Sequence, residues 1–188
     1  MKSLITIIFL LTGLAGLSQK DLEKMEIRIL PESELIIAGS TNVNTFNCKF
    51  DMDLICDWNK IQFNREDKFL IFNDLILPLR TDGFDCGNKR MNSDFQDLLM
   101  SESYPEIRIR IEKIELFHGD FNKAYLKVEL AGKTRDYDLP VLVSKDHFKG
   151  KFKMNIRDFG LEPPKKALGL IEVDEIIEVI FDLKLNQK

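Results

Sequence analysis

The chain has 188 residues, with 27 Lys and Arg against 31 Asp and Glu and a net charge of −4 at neutral pH. A mildly acidic surface of mixed sign excludes a nucleic-acid binder working through a basic face, and excludes electrostatic attachment to anionic membranes. The length fits one domain with a sizeable core, and no repeat, low-complexity tract or linker divides it.

The first residues read as a leader and not as part of the fold. Lys2 gives a positive start, Leu4 to Leu11 is apolar apart from Thr6, and Gly16-Leu17-Ser18 puts small residues at the −3 and −1 positions before Gln19. That is the pattern of a secretory signal peptide over residues 1–18, too short and too weakly flanked for a stable transmembrane anchor. No Cys follows the apolar run, which argues against a lipoprotein anchor. The expectation is an exported protein, periplasmic or extracellular, with its mature domain over residues 19–188. Loss of Lys2 leaves that domain one unit more acidic than the whole chain. No later stretch has the roughly 18 consecutive apolar residues that a membrane-crossing helix needs.

Met25, Ile27 and Ile29 alternate with Glu26 and Arg28, which predicts a short first strand stopped at Pro31. Ser33 to Ala38 resumes the extended pattern and ends at Gly39-Ser40. Thr41 to Phe50 predicts a strand packing through Val43, Thr45, Phe46 and Cys48, and Asp51 to Asn59, with Cys56 and Trp58, a less regular connection. Phe69 to Leu79 is apolar on both faces. Phe69, Ile71, Leu75, Leu77 and Leu79 share one face, and Pro78 marks an end or an edge. Asp82-Gly83 is a tight-turn pair. A helix is predicted from about Asp94 to Glu102. Ser93 is its N-cap, Gln96 completes a capping box, and Phe95, Leu98 and Leu99 form its apolar face. Tyr104-Pro105 ends it, and so short a helix in a stranded chain covers one end of the sheet.

Ile107, Ile109 and Ile111 then alternate with charged residues until the phase changes at Lys113 and continues through Ile114 and Leu116. A one-residue slip would turn every later side chain over, so a β-bulge is predicted near Glu112-Lys113. His118-Gly119-Asp120 is a turn. Ala124, Leu126, Val128 and Leu130 form the next apolar face, Ala131-Gly132-Lys133 turns the chain, and Tyr137, Leu139, Val141 and Val143 follow. Phe148, Gly150, Phe152, Met154 and Ile156 alternate with lysines up to a turn at Asp158-Phe159-Gly160. An irregular connection through Pro163-Pro164 leads to a last strand, Ile176 to Leu185. The expected architecture is all-β: an antiparallel up-and-down barrel of about 8–10 strands with one short capping helix, because closure removes exposed edges.

Catalytic and metal motifs are sparse. Asp158-Phe159-Gly160 matches a kinase magnesium motif, but no glycine-rich loop or catalytic loop accompanies it, and a structural turn is the simpler reading. His118 and His147 lack a partnered nucleophile motif, so no catalytic residue is assigned and no enzyme is expected. The cysteines, Cys48, Cys56 and Cys86, show no zinc spacing, and no metal site is expected. In an oxidising compartment one disulfide forms and one thiol is left over. Three pairings are open, with Cys48 and Cys86 the candidate pair considered further.

The candidate ligand-binding face is the barrel interior: Ile107, Ile109, Ile111, Leu126, Val128, Leu130, Phe152, Met154, Ile156, Val179 and Phe181. Periodicity reports which face is apolar and not whether the interior is filled, so two readings stand side by side. One is a tunnel for a hydrophobic chain. The other is a dry core in a ligand-free structural or protein-interaction module acting through its loops.

The run from Leu126 to Arg135, Leu-Lys-Val-Glu-Leu-Ala-Gly-Lys-Thr-Arg, with Leu139-Pro140-Val141, resembles the central signature of the YceI-like family. Phe148-x-Gly150-x-Phe152 leading into Asp158-Phe159-Gly160 resembles its next strand and turn, and Tyr104-Pro105-Glu106-Ile107 its strand start after a short helix. Ala38 to Val43 and Asp85-Cys86-Gly87-Asn88-Lys89 look like a divergent exported subgroup. The similarity covers Ser33 to Leu185, and the order and spacing of the motifs carry it more than any one of them. The cysteines and the strand after Thr41 depart from the better-known pattern. The resemblance implies a lipocalin-like exported barrel that encloses a polyisoprenoid, a quinone tail or a similar lipid, with no cofactor other than that lipid and no catalysis. Oligomeric state is left open.

Overall fold

Residues 22–119, 121–166 and 170–188 are described by the structure, a computed structural model. The expected signal peptide lies outside the described residues. In chain order the strands are β1 (Glu23–Ile29), β2 (Glu34–Ser40), β3 (Thr45–Phe50), β4 (Asn59–Glu66), β5 (Phe69–Arg80) and β6 (Phe84–Asp85). After the helix α1 (Lys89–Leu98) come β7 (Glu106–Glu115), β8 (Phe121–Leu130), β9 (Lys133–Ser144) and β10 (His147–Asn155). The two-residue strands β11 (Lys165–Lys166) and β12 (Ile171–Glu172) precede β13 (Ile176–Gln187).

All the pairings are antiparallel, and eight strands close into a ring in the order β1-β4-β5-β7-β8-β9-β10-β13, with β13 returning to β1. The expected barrel is therefore present. One long strand makes the closure possible: β13 pairs β10 along one edge, while its other edge pairs β2 through Glu178–Asp182 and then β1 through Leu185–Gln187. The break between β1 and β2 is pinned there, since the Ser33 hydroxyl both donates to the Lys184 carbonyl and accepts from its N–H, at 3.3 and 2.9 Å. From β2 the sheet branches away from the ring through β3 to β6.

The ring is incomplete at one end. β9 pairs β10 only through Val141–Ser144, because Pro140 has no N–H to continue the ladder. The 3-10 turn Ile156–Phe159 packs against β9 there, with Phe159 only 1% exposed, and Gly160 leaves it at φ 75°. A kinase-like tripeptide is thus a buried turn. Two close approaches depend on glycine: the Phe181 ring lies over Gly150 and the Phe46 ring over Gly39, each where a Cβ would sit within 2.4 Å of ring carbon.

The expected bulge is present, since the β7–β8 register shifts between Ile111 and Lys113. A second irregularity, between Ile71 and Leu75 of β5, separates the face read as continuous from Phe69 to Leu79, and Asp74 takes a positive φ of 57° there. Three other expectations need correction. The strand expected from Thr41 starts at Thr45, and Val43 is 65% exposed instead of packed. The strand β4 has no counterpart among the expected elements, although Ile61 and Phe63 alternate with polar residues and are buried. The helix begins five residues before Asp94, at Lys89. Asn88 caps it by accepting from the Met91 N–H at 3.0 Å, just after Gly87 turns at φ 94°. Ser93 therefore lies inside the helix. It ends on Met100 at φ 58°, with Ser101 N–H bonded to the Gln96 carbonyl and Met100 N–H to that of Asp97, a Schellman arrangement.

Candidate functional site: an apolar chamber under the helix

At the incomplete end of the ring, the branch β2-β3-β6 and helix α1 stand off from β7 and β8, and a chamber of about 680 Å³ lies between them. The helix turns Phe95, Leu98 and Leu99 toward it. Those residues recur at i, i+3 and i+4, so one helical face supplies all three. β2 adds Leu35 and Ile37, and β13 adds Ile177 and Val179.

The disulfide between Cys48 and Cys86 ties β3 to the start of the helix segment, and both sulfurs' residues line the chamber. Cys56 stays free, with its thiol donating to the Met52 carbonyl and pushed up in pKa by burial and by Asp53. The loop between Cys86 and α1 is fixed by its own polar contacts. Cys86 N–H donates to Asn92 Oδ1 at 2.7 Å, while Asp85 accepts from Gly87 N–H and from the Asn92 amide. These two hydrogen bonds hold the Asp85 carboxyl below the usual carboxylate range.

Of the residues expected to bind a ligand, Ile107, Ile109, Val128, Leu130, Phe152, Met154, Ile156 and Val179 line this chamber. Ile111, Leu126 and Phe181 do not. Leu126 is buried in the core and Phe181 packs against it, each one ladder row beyond a lining residue, while Ile111, paired with Leu126, is half-buried. Sequence reasoning missed the contribution of β2, Phe46, Leu79, Phe84 and Ile177. The helical face was legible, but that it roofs these particular strands follows only from the branch at β13.

The polar part of the lining is Thr41 and Asn44 of the β2–β3 turn, Thr45 and Asn47 of β3, and Arg90 and Asp94 of α1, and Thr41 bridges to Val173 of the segment before β13. Asn42 holds the turn to that segment, donating to the Leu170 carbonyl from its amide and accepting from Glu172 N–H. Among the described residues no cluster of His, Cys, Asp or Glu could hold a metal ion. His147 pairs with Asp182 on the outer wall, and His118 is exposed in the β7–β8 turn. Neither histidine faces the chamber.

The YceI-like domain model matches residues 77–185, more than half of the chain. The chain belongs to the YceI-like family. That family is a β-barrel, lipid-binding fold, typically periplasmic, and not a known enzyme family. The structure of BcnA from Burkholderia cenocepacia shares the fold at a TM-score of 0.57 and 17% identity, over 82% of this chain and 96% of that one. Two mutants of the Campylobacter jejuni YceI protein share it at a TM-score of 0.51 and 14% identity. Each comparison covers 100% of this chain, and 99% and 93% of those chains. A search of curated proteins finds no significant match. Among the described residues of this YceI-like chain, no helix is long and apolar enough to cross a membrane.

Proposed function

We propose that this YceI-like protein is an exported, non-catalytic carrier that shields one hydrophobic chain, of the isoprenoid or a similar lipid class, inside its barrel. The observation that carries the reading is the chamber itself. Its walls are aliphatic and aromatic side chains from eight strands and a helix, and its few polar groups come from the β2–β3 turn, β3 and α1. An apolar pocket with a few polar groups suits an amphiphile, whose tail gains about 0.8 kcal/mol for each methylene it withdraws from water. Export is supported by the leader-like first residues and by a cysteine pair placed where it can clamp the chamber roof.

A ligand-free interaction module is the second reading. Exposed Phe117 in the β7–β8 turn and Phe121 at the start of β8 favour it, at 49% and 66% exposure. They sit at the end of the barrel away from the chamber. Organic extraction of protein purified from its own host, followed by mass spectrometry, separates the readings. A single lipid near one per chain is expected. Protein from which no lipid is extracted, and which takes up none on incubation, leaves the interaction module as the better account.

A further inference from the structure

The chamber stops between successive ladder rows on β7–β8 and on β10–β13, while on β2 it reaches Leu35, the partner of Phe181. On β7 the lining includes Ile109 but not Ile111, and on β8 it includes Val128 but not Leu126. These are cross-strand pairs, Ile109 with Val128 and Ile111 with Leu126, so the boundary falls between two rows of one ladder. Across the barrel the same step recurs. Phe152 and Val179 are paired and line the chamber, whereas the next pair, Gly150 and Phe181, does not. Phe181 occupies the space that a side chain on Gly150 would fill, so its ring closes the row. Leu126 below it is 7% exposed, and Leu139 and Val141 beyond are 1% and 4% exposed. The barrel interior is therefore part chamber and part packed core, divided at Leu126 on β8 and at Phe181 on β13.

The size of the chamber sets what fits. Along β10 the lining runs from Phe152 to Ile156, about 13 Å of strand and about 10 Å of depth once strand tilt is allowed for. A cavity of 680 Å³ falls within the range of about 300–1,000 Å³ that drug-sized ligands fill, which suits a chain of about twenty carbons. The rim sets what head group fits. Among the described side chains its charged groups are one cation, Arg90, and one anion, Asp94, at i,i+4 on α1, beside the neutral Thr41, Asn44, Thr45 and Asn47. Such a rim offers hydrogen bonds without net charge to offset a phosphate or carboxylate.

We infer that the ligand is a short, neutral-headed amphiphile, of about twenty carbons or fewer, and not a long polyprenyl chain threaded through the barrel. This rests on the reading of the barrel as a lipid holder. The test uses the whole mature protein, labelled prenols added from cyclodextrin, and the bound fraction counted after gel filtration. Farnesol and geranylgeraniol are expected to be retained, and the much longer solanesol about tenfold more weakly. Geranylgeranyl phosphate is expected to bind several-fold more weakly than the alcohol. Opening this division with Leu126→Ala is expected to improve solanesol selectively, in a variant whose retention of farnesol reports that it has folded. Equal retention of solanesol and geranylgeraniol by the unmodified protein overturns the length limit while leaving lipid binding standing. Tighter binding of the phosphate overturns the neutral head. Retention of no prenol at any length overturns both this inference and the lipid-holder reading beneath it.

Discussion

Glu115 is a carboxylate only 8% exposed, at the packed end of the barrel, and its partners explain how it stays charged. Lys68 Nζ lies 2.6 Å from one oxygen and the Tyr125 hydroxyl donates to the other at 2.8 Å. The hydrogen bonds from Lys68 and Tyr125 outweigh desolvation and hold its pKa below the usual carboxylate value. A depressed folded-state pKa means that the unfolded chain binds the proton more readily. The contribution to stability is complete above the ordinary carboxylate range and is lost as pH falls through the folded value. Glu115→Gln should therefore flatten the acid arm of the stability profile, read as urea midpoints between about pH 6 and about pH 2. Parallel profiles for the two proteins would show that Glu115 contributes nothing to acid unfolding. The residue types at this site gave no warning of it. Lys68 of the β4–β5 turn, Glu115 of β7 and Tyr125 of β8 meet only once the registers are set.

At the scale of elements, what could be read from the chain depended on whether local pattern and tertiary role agreed. β8 and β9 alternate cleanly and are joined by Ala131-Gly132, both at positive φ, so pattern and turn chemistry pointed the same way. The phase change after Ile111 carried the bulge in the sequence itself, because only a bulge keeps Ile109 and Ile114 on one face. The helix was misplaced because Ser93 with Gln96 offered a capping box while Asn88 after Gly87 offered a real cap, and local rules rank the two alike. Contacts decided it: starting at Lys89 places Met91 as well as Phe95 on the chamber. The disulfide fixes that placement, closing a loop between positions 38 residues apart. In the chain-entropy account such a loop is worth about 3–4 kcal/mol. Replacing both cysteines, Cys48→Ala with Cys86→Ala, should lower the stability measured by urea unfolding by an amount of that order. An unchanged midpoint would mean that the packing of Phe50, Phe84 and Phe95 holds the helix without help.

For the whole molecule, a closed barrel was legible because so many half-apolar strands leave no face or edge to expose. Whether its interior was open was not legible, since Ile107 to Ile111 and Phe148 to Ile156 repeat the same alternation on both sides of the boundary. The division into chamber and core comes from the branch of β2 and β3 away from the ring, and from a large ring, Phe181, standing over the glycine of β10. On the proposed function the barrel is exported and carries a lipid in the chamber beneath a disulfide-held helix. Native mass spectrometry of the intact protein isolated from its own host tests it most directly. The account predicts a chain beginning at Gln19, two mass units light for one disulfide, carrying one lipid adduct that is released on activation in the gas phase. A bare chain that stays bare when incubated with prenols would contradict it.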